Sequence, residues 1–424
     1  MIKPEEFPYI KSLYVNDCYA YKKFNIELHD YKPFSHLILT GKNGSGKSTI
    51  LSAIDRRFFF EDRPESERPK LIASTVVAEK EVIRINETTV PPGKILFQVE
   101  INFTIPHNIN KNGEIRAIMP QEIFNHYHIK VYSYFKARRW ISIQEVDGPS
   151  KELDFVDKLN SKDSTNYFTS AFKQYLVNKK IDQAFAQIDQ RIEQVKTTEA
   201  FFKTLREKLS EVFGIKIDSI EFDHKSYEFY LHLEDGRRLT FDILPEGFSA
   251  VLTILMDLFM RVDLIRKQVN DYSYDPCGIV LIDEPEAHLH LQLQEQILPL
   301  LIDLFPNIQF IAATHSPAVI ASIKNATIFD LTTKETRISE DAVGRSYSDL
   351  MMSHFGLNNE YSKAADDIIL QVNSVLNTFG NKPEEMKAAL QKIYDENSAY
   401  LSPTLKVELE LLIAQQEAQQ IAHQ

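Results

Sequence analysis

The sequence predicts an α/β fold with a mixed central sheet, an antiparallel β subdomain, a short helical insertion and a helical C-terminal region. Three observations predict it. The glycine-rich segment Gly41 to Thr49 fits GxxxxGK[ST] and stands between an apolar run and a helical pattern. GIVLID and IQFIAAT, at 278–283 and 308–314, are continuous apolar runs of the kind found in strands covered on both faces. Residues 151–213 contain no proline and no glycine, and their apolar residues recur at helical spacing.

Taken in order, residues 10–40 read as short strands ending in the apolar run His36 to Leu39, followed by the glycine-rich turn and a helix from Ser48 to Phe60. Residues 61–92 are polar and carry prolines, as a surface excursion does. ILFQVEINFTI and YHIKVYSYF alternate like antiparallel strands. The helical insertion is too short for a long coiled-coil arm. Strands return at IKIDSIEFDH, YEFYLHLED and RRLTFDIL, with a hairpin turn at Glu234-Asp235-Gly236. A helix over 248–267, the strand GIVLID, a helix over 291–304 and the strand IQFIAAT come next, and the final stretch is helical and charged. The expected segments are 1–150, with the glycine-rich loop and antiparallel strands; 151–214, the helical insertion; 215–335, the second part of the core; and 336–424, a helical region for docking a partner.

Composition narrows the function. With 48 Lys and Arg against 60 Asp and Glu, the net charge of −12 excludes a generally basic polyanion binder but leaves room for a local basic strip. Cys18 and Cys277 are too few for a disulfide framework or a zinc ribbon, so a reducing cytosol is expected. The longest apolar stretch, 250–260, is too short to cross a bilayer and already contains Asp257. The acidic first residues lack the pattern of a signal peptide. The expectation is a cytoplasmic protein with no membrane partner.

Three segments carry chemistry. In the first, Gly41, Asn43, Gly44, Ser45, Gly46, Lys47, Ser48 and Thr49 form a phosphate loop. Its glycines let backbone N–H groups curl around an anion at a helix N-terminus. Lys47 offers a point charge to the β- and γ-phosphates of a nucleotide such as ATP, and the Ser48 hydroxyl can ligate Mg²⁺. In the second, Asp283 ends a buried strand beside that loop, where it can hold the Mg²⁺ through water, and Glu284 is placed to polarise an attacking water. The third, Ala313-Thr314-His315-Ser316-Pro317, ends another buried strand, where His315 can sense a γ-phosphate.

In this order the three segments resemble the ABC-type ATPases, a family that includes SMC, RecF and overcoming-lysogenization-defect proteins as well as transporter motors. The resemblance implies an ABC-ATPase head, with Gly41 to Thr49 as Walker A, Asp283 and Glu284 as the Walker B acids, and His315 as the switch histidine. It also implies a homodimer unit closed head to tail around ATP-Mg. The family's signature loop corresponds to Leu244-Pro245-Glu246-Gly247-Phe248-Ser249, with Pro245 replacing the usual serine. Contact with the other subunit's γ-phosphate would then rest on backbone N–H groups near Gly247 and on Ser249, which implies a slow or partner-gated ATPase. Gln121 and Gln144 both remain candidates for the Q-loop.

The loop Glu284-Pro285-Glu286-Ala287-His288-Leu289-His290 is similar to that of bacterial AAA-type defence ATPases, including those of the Septu (PtuA-like), retron-linked, PARIS and Gabija systems. This resemblance implies a sensor or regulatory subunit of an antiphage complex controlling a separate nuclease effector, such as an HNH protein, with DNA or RNA as a further candidate partner. The alternative is a RecF-like repair ATPase acting on DNA. A transporter motor fits poorly with the EPEAHLH loop, the missing signature serine and the helical insertion. The i, i+2 spacing of His288 and His290 suits a dimer-interface loop better than a metal pair. Asp366-Asp367 lacks the alternating acids of a fused TOPRIM nuclease, so the tail is either a docking surface or a packing cap. Lys136, Arg138, Arg139 and Trp140 form a basic-aromatic cluster that can contact nucleic acid, stack on adenine or simply be a solvated strand end.

Overall fold

The apolar runs form the middle of one sheet. A computed structural model describes residues 1–18, 21–59, 84–85, 88–89, 99–103, 130–139, 144–150, 155, 159, 164–241, 246–355, 363–379 and 382–422. Most of the 61–92 excursion, Gln121, Trp140 and the pair Leu244-Pro245 lie outside those residues. The chain divides into one unit spanning Met1–Leu350 and a second spanning Met351–Gln424.

In the first unit, β1 (Ile10–Cys18) pairs antiparallel with β2 (Tyr21–Glu27) and with β6 (Val99–Phe103). A two-residue pair, β4 (Arg84–Ile85) and β5 (Thr88–Thr89), is separate. The six-stranded sheet runs in the order β14 (Glu335–Ile338), β13 (Ala326–Asp330), β3 (His36–Thr40), β12 (Ile308–Ala313), β11 (Gly278–Asp283) and β7 (Val131–Phe135). All its neighbours are parallel except β13 and β14. β3, β11, β12 and β13 are buried at every position.

One strand differs from expectation. The alternation in YHIKVYSYF predicts an antiparallel strand, yet β7 lies parallel to β11 at the sheet edge. Alternation along one strand reports which faces are covered, not the direction of its neighbour. Gly278 permits the approach, because a Cβ there would sit 2.3 Å from the Val131 carbonyl oxygen.

Helix α1 (Lys47–Phe59) packs on β11 and β12. The insertion is a helical pair, α2 (Ser164–Ile188) and α3 (Ile192–Phe213), followed by the antiparallel strands β8 (Ile217–Asp223), β9 (Glu228–Leu233) and β10 (Arg238–Leu239). The predicted hairpin turn is present, with Gly236 at φ 85°. Helix α4 (Glu246–Val269) packs on α2 and β7. Its Asp257 accepts hydrogen bonds from Ser133 Oγ at 2.5 Å and from Arg261 at 2.7 and 3.1 Å, and Arg261 also donates to the Leu159 carbonyl at 2.8 Å. The acid that interrupts the apolar stretch is thus a satisfied buried ion tying α4 to β7. No helix among the described residues is long and apolar enough to cross a membrane.

A buried cluster joins Leu13, Val15 and Ile26 of the antiparallel sheet to Ile50 and Ile54 of α1 and to Leu39, Leu281 and Ala313 of the large sheet. α5 (Leu291–Leu304), α6 (Pro317–Ile320) and α7 (Glu340–Val343) belong to the first unit, and α8 (Tyr347–Phe355) runs across the boundary into the second. There, α9 (Lys363–Thr378), α10 (Pro383–Asn397) and α11 (Pro403–Ala422) bury Ile368, Leu390, Leu405 and Leu409 among themselves. The unit consists of helices among its described residues, and Asp366-Asp367 lies on α9.

Candidate functional site

Register brings the candidate residues together. Asp283 stands opposite Ala313, Ala313 opposite Leu39, Asp330 opposite Thr40, and Ile282 opposite Phe135. Five parallel strands therefore stop at one level. The residues just after each strand lie along the C-terminal edge, where open α/β sheets gather their ligands.

After β3 the chain turns at Gly41, whose φ is +129°, and a Cβ there would meet Thr332 Oγ1 at 3.0 Å and Asp330 Oδ1 at 3.3 Å. Only glycine fits that approach. Gly44 and Gly46 continue the curl at φ 77° and 95°, with Asn43 exposed at its crest and Ser45 buried. Lys47 opens α1 and turns back, donating to the carbonyls of Gly41 at 2.9 Å and Lys42 at 3.2 Å. Burial pulls its ammonium down to about 8, against the opposing pull of Asp283, Glu284, Glu286 and Asp330. Ser48 Oγ donates to Asp283 Oδ1 at 3.0 Å. Thr49, half-buried, comes next on the same helix.

Burial raises the Asp283 carboxyl above the usual range; Ser48, Arg139 and Lys47 oppose the shift. Glu284 sits in the left-handed region at φ 49°, an unfavourable place for a non-glycine residue, with its N–H donated to the Ala313 carbonyl at 2.8 Å. Half-buried His315 is held below its ordinary value by burial and then by Lys47, so its ring is neutral near pH 7.

Gly247 and Ser249 stand in the opening turn of α4 rather than at the strand ends. His288, at φ 65°, and His290, at the N-cap of α5, are both exposed. Gln144 is exposed, and its N–H donates to the Ser170 carbonyl at 3.1 Å.

The basic cluster is divided. Lys136 and Arg138 are exposed, but the guanidinium of Arg139 turns inward and donates to the carbonyls of Asp283 and Glu284, each at 2.8 Å. No reading of the cluster anticipated that contact, since a basic residue after a strand carries no mark of where its fork will turn. Two acids were also missed. Glu286 Oε1 accepts the His315 N–H at 2.6 Å, and burial raises its carboxyl. Asp330 accepts the N–H groups of Thr332 and Thr333 at 2.6 and 3.2 Å, while Thr332 Oγ1 accepts the N–H of Lys42 at 3.0 Å. A signal for Asp330 exists, since ATIFD is an apolar run ending in an acid just as GIVLID is. Here the acid shapes the turn that supports the phosphate loop.

The donor set suits Mg²⁺, which favours hard oxygens and binds through one or two protein ligands together with phosphates and water. Among the described residues, no group of three or more His, Cys, Asp or Glu side chains is gathered to cage a metal by itself. Ser48 and Asp283 would supply the protein share.

A glycine-rich loop between a buried strand and a helix, with an acid-ended parallel strand beside it, defines a nucleotide-binding domain of the P-loop ATPase class. The chain belongs to the family described as "AAA domain, putative AbiEii toxin, Type IV TA system", whose model matches residues 37–321. It is similar to "Retron Vc95 probable ATPase" of Vibrio cholerae serotype O1 biovar El Tor, 24% identical over 72% of this chain and 72% of that one. It is also similar to "Septu protein PtuA" of Bacillus thuringiensis, 25% identical over 67% of this chain and 66% of that one. A solved Smc head domain with an extended coiled coil, bound to the C-terminal domain of ScpA derived from Pyrococcus furiosus, aligns over 80% of this chain and 98% of its own, with TM-score 0.41 and 16% identity.

Proposed function

We propose that the protein binds and hydrolyses ATP as the cytoplasmic regulatory subunit of an antiphage defence complex, controlling a separate nuclease effector. One observation supports the ATPase step above the others. It is that Gly41 to Thr49, the Ser48–Asp283 hydrogen bond, Glu284 and His315 all lie along one sheet edge. Similarity to a retron ATPase and to a Septu protein supports the defence setting, in line with the EPEAHLH loop.

On this reading Gly41, Asn43, Gly44, Ser45, Gly46 and Thr49 surround the phosphates with backbone donors, and Lys47 gives up its loop carbonyls to pair with them. Mg²⁺, held by Ser48 and Asp283, would neutralise charge on the β- and γ-phosphates. Glu284 takes the proton of the attacking water, and the neutral His315 ring hydrogen-bonds the γ-phosphate. Gly247 and Ser249, at the positive end of α4, meet the γ-phosphate bound by a second copy. Residues 151–214 are the helical insertion, and residues 336–424 dock the effector, of which an HNH protein is the chemistry expected.

The DNA-acting alternative needs a local basic groove. Arg139 does not contribute to one, because its fork is spent on backbone carbonyls. A nucleotide-binding and phosphate-release assay on the purified chain, alone and with its co-expressed neighbour, tests the reading. Slow ATP turnover that changes with the partner is expected; Mg-ATP binding without turnover in either sample rejects hydrolysis.

A further inference from the structure

We infer that Arg139 is a positioning residue for hydrolysis, holding the Glu284 peptide in the conformation that aims its carboxylate. The inference rests on the ATPase reading. Pairing between β7 and β11 ends at Phe135 and Ile282, and β7 then leaves the sheet. Among the described residues no β7 residue pairs with Asp283 or Glu284, and the Glu284 carbonyl accepts the N–H of Ala287 at 3.0 Å. Arg139, four residues past the last pair, sends its guanidinium back, and Nη1 and Nη2 each donate at 2.8 Å to one of these two consecutive carbonyls. Nη1 also reaches the Lys136 carbonyl at 3.1 Å, bracing the turn that carries the arginine.

A planar fork is suited to this task, because its two Nη donors are held at a fixed spacing and direction, whereas an ammonium serves its acceptors from a single rotatable nitrogen. The peptide it holds is the strained one: Glu284 is left-handed at φ 49°, with its N–H fixed from the opposite side by Ala313 at 2.8 Å. A non-glycine residue persists there only when its surroundings over-determine it. Clamped between β12 on one side and Arg139 on the other, Glu284 meets that condition. The arrangement has a cost, since Arg139 Nε is buried with no hydrogen-bond partner among the described residues and burial lowers the guanidinium to about 10. Three acids, Glu286, Asp283 and Glu284, hold the charge in place.

The test is a double-mutant cycle of Arg139→Lys with Glu284→Gln, reading kcat, KM and nucleotide affinity, with thermal unfolding to confirm the fold. The expected result is a kcat lower by about tenfold or more in Arg139→Lys, with ATP affinity within about threefold of the parent, and little further loss when Arg139→Lys is combined with Glu284→Gln. Should Arg139→Lys fail to fold, Arg139→Gln enters the same cycle. Undiminished kcat in the folded variant, or a loss that multiplies in full with that of Glu284→Gln, overturns the inference. Parent turnover no higher than that of Glu284→Gln would instead reject the underlying ATPase reading, which separates the two failures.

Discussion

Around the end of β11 the chain buries Lys47 and Asp283 and holds Glu284 at a positive φ. In the unit spanning Met351–Gln424, burial falls instead on Ala365, Ile368, Met386, Leu390, Ile393, Leu401, Leu405, Leu409 and Ile413. That unit follows local rules: Pro383 opens α10, and Glu384 and Glu385 occupy its first turn, where the helix dipole favours them. The sheet edge breaks the same kind of rule repeatedly. Local consistency is what folding alone selects, so the place where it is abandoned marks where chemistry is expected.

Substitutions sharpen the contrast, and the largest effect belongs to the sheet edge. Glu284→Gln keeps the shape and removes the proposed base, so turnover should fall by about 10²–10⁴ while ATP still binds. A steady-state phosphate-release assay beside an affinity titration reads both quantities, and normal turnover would remove Glu284 from its role. Lys47→Ala takes away the buried cation proposed to pair with the phosphates and should weaken ATP binding by about 10–100-fold, as loss of a charged hydrogen bond does. Calorimetric titration checks it, and unchanged affinity would break the phosphate-loop assignment.

In the helical unit the expected pattern is the reverse. Leu390, fully buried, becomes a cavity in Leu390→Ala and should cost about 2–5 kcal/mol of that unit's stability. ATP affinity should not change. Unfolding curves and the same titration test this together, and a matching loss of affinity would collapse the distinction between the regions. The smallest effect concerns pH. Lys47 is lowered to about 8 without nucleotide, and phosphate favours its charged form. Binding above that value must therefore take up a proton, so affinity should decline as pH rises through about 8 and stay level below it. The Lys47→Ala protein should lack that decline. The linked stability runs the opposite way: a lysine depressed on folding disfavours the folded state below about 8, and the penalty fades as pH rises toward its unfolded value.

Much of the candidate site's position in the fold was legible. The loop Gly41 to Thr49, the acids Asp283 and Glu284, and His315 each lie within a few residues of an apolar run, so period and punctuation located them. The helix over 291–304 and the strand IQFIAAT were legible for the same reason. The direction of β7 was not, because an alternating sequence pattern looks alike beside either kind of neighbour.

The sequence by itself determined most elements, the glycine-rich turn and the acid-ended strand, because each is marked by a short local pattern of apolar, glycine and acidic residues. Tertiary structure alone decided that Arg139 clamps the backbone after β11, that Glu286 holds the His315 N–H, and that the turn after Asp330 supports Lys42 through Thr332. Those outcomes depend on which strands stop at the same level, a property of register between segments separated by 29 to 290 residues. Side chains of one chemical type were sorted into different tasks only when the sheet brought their strand ends together.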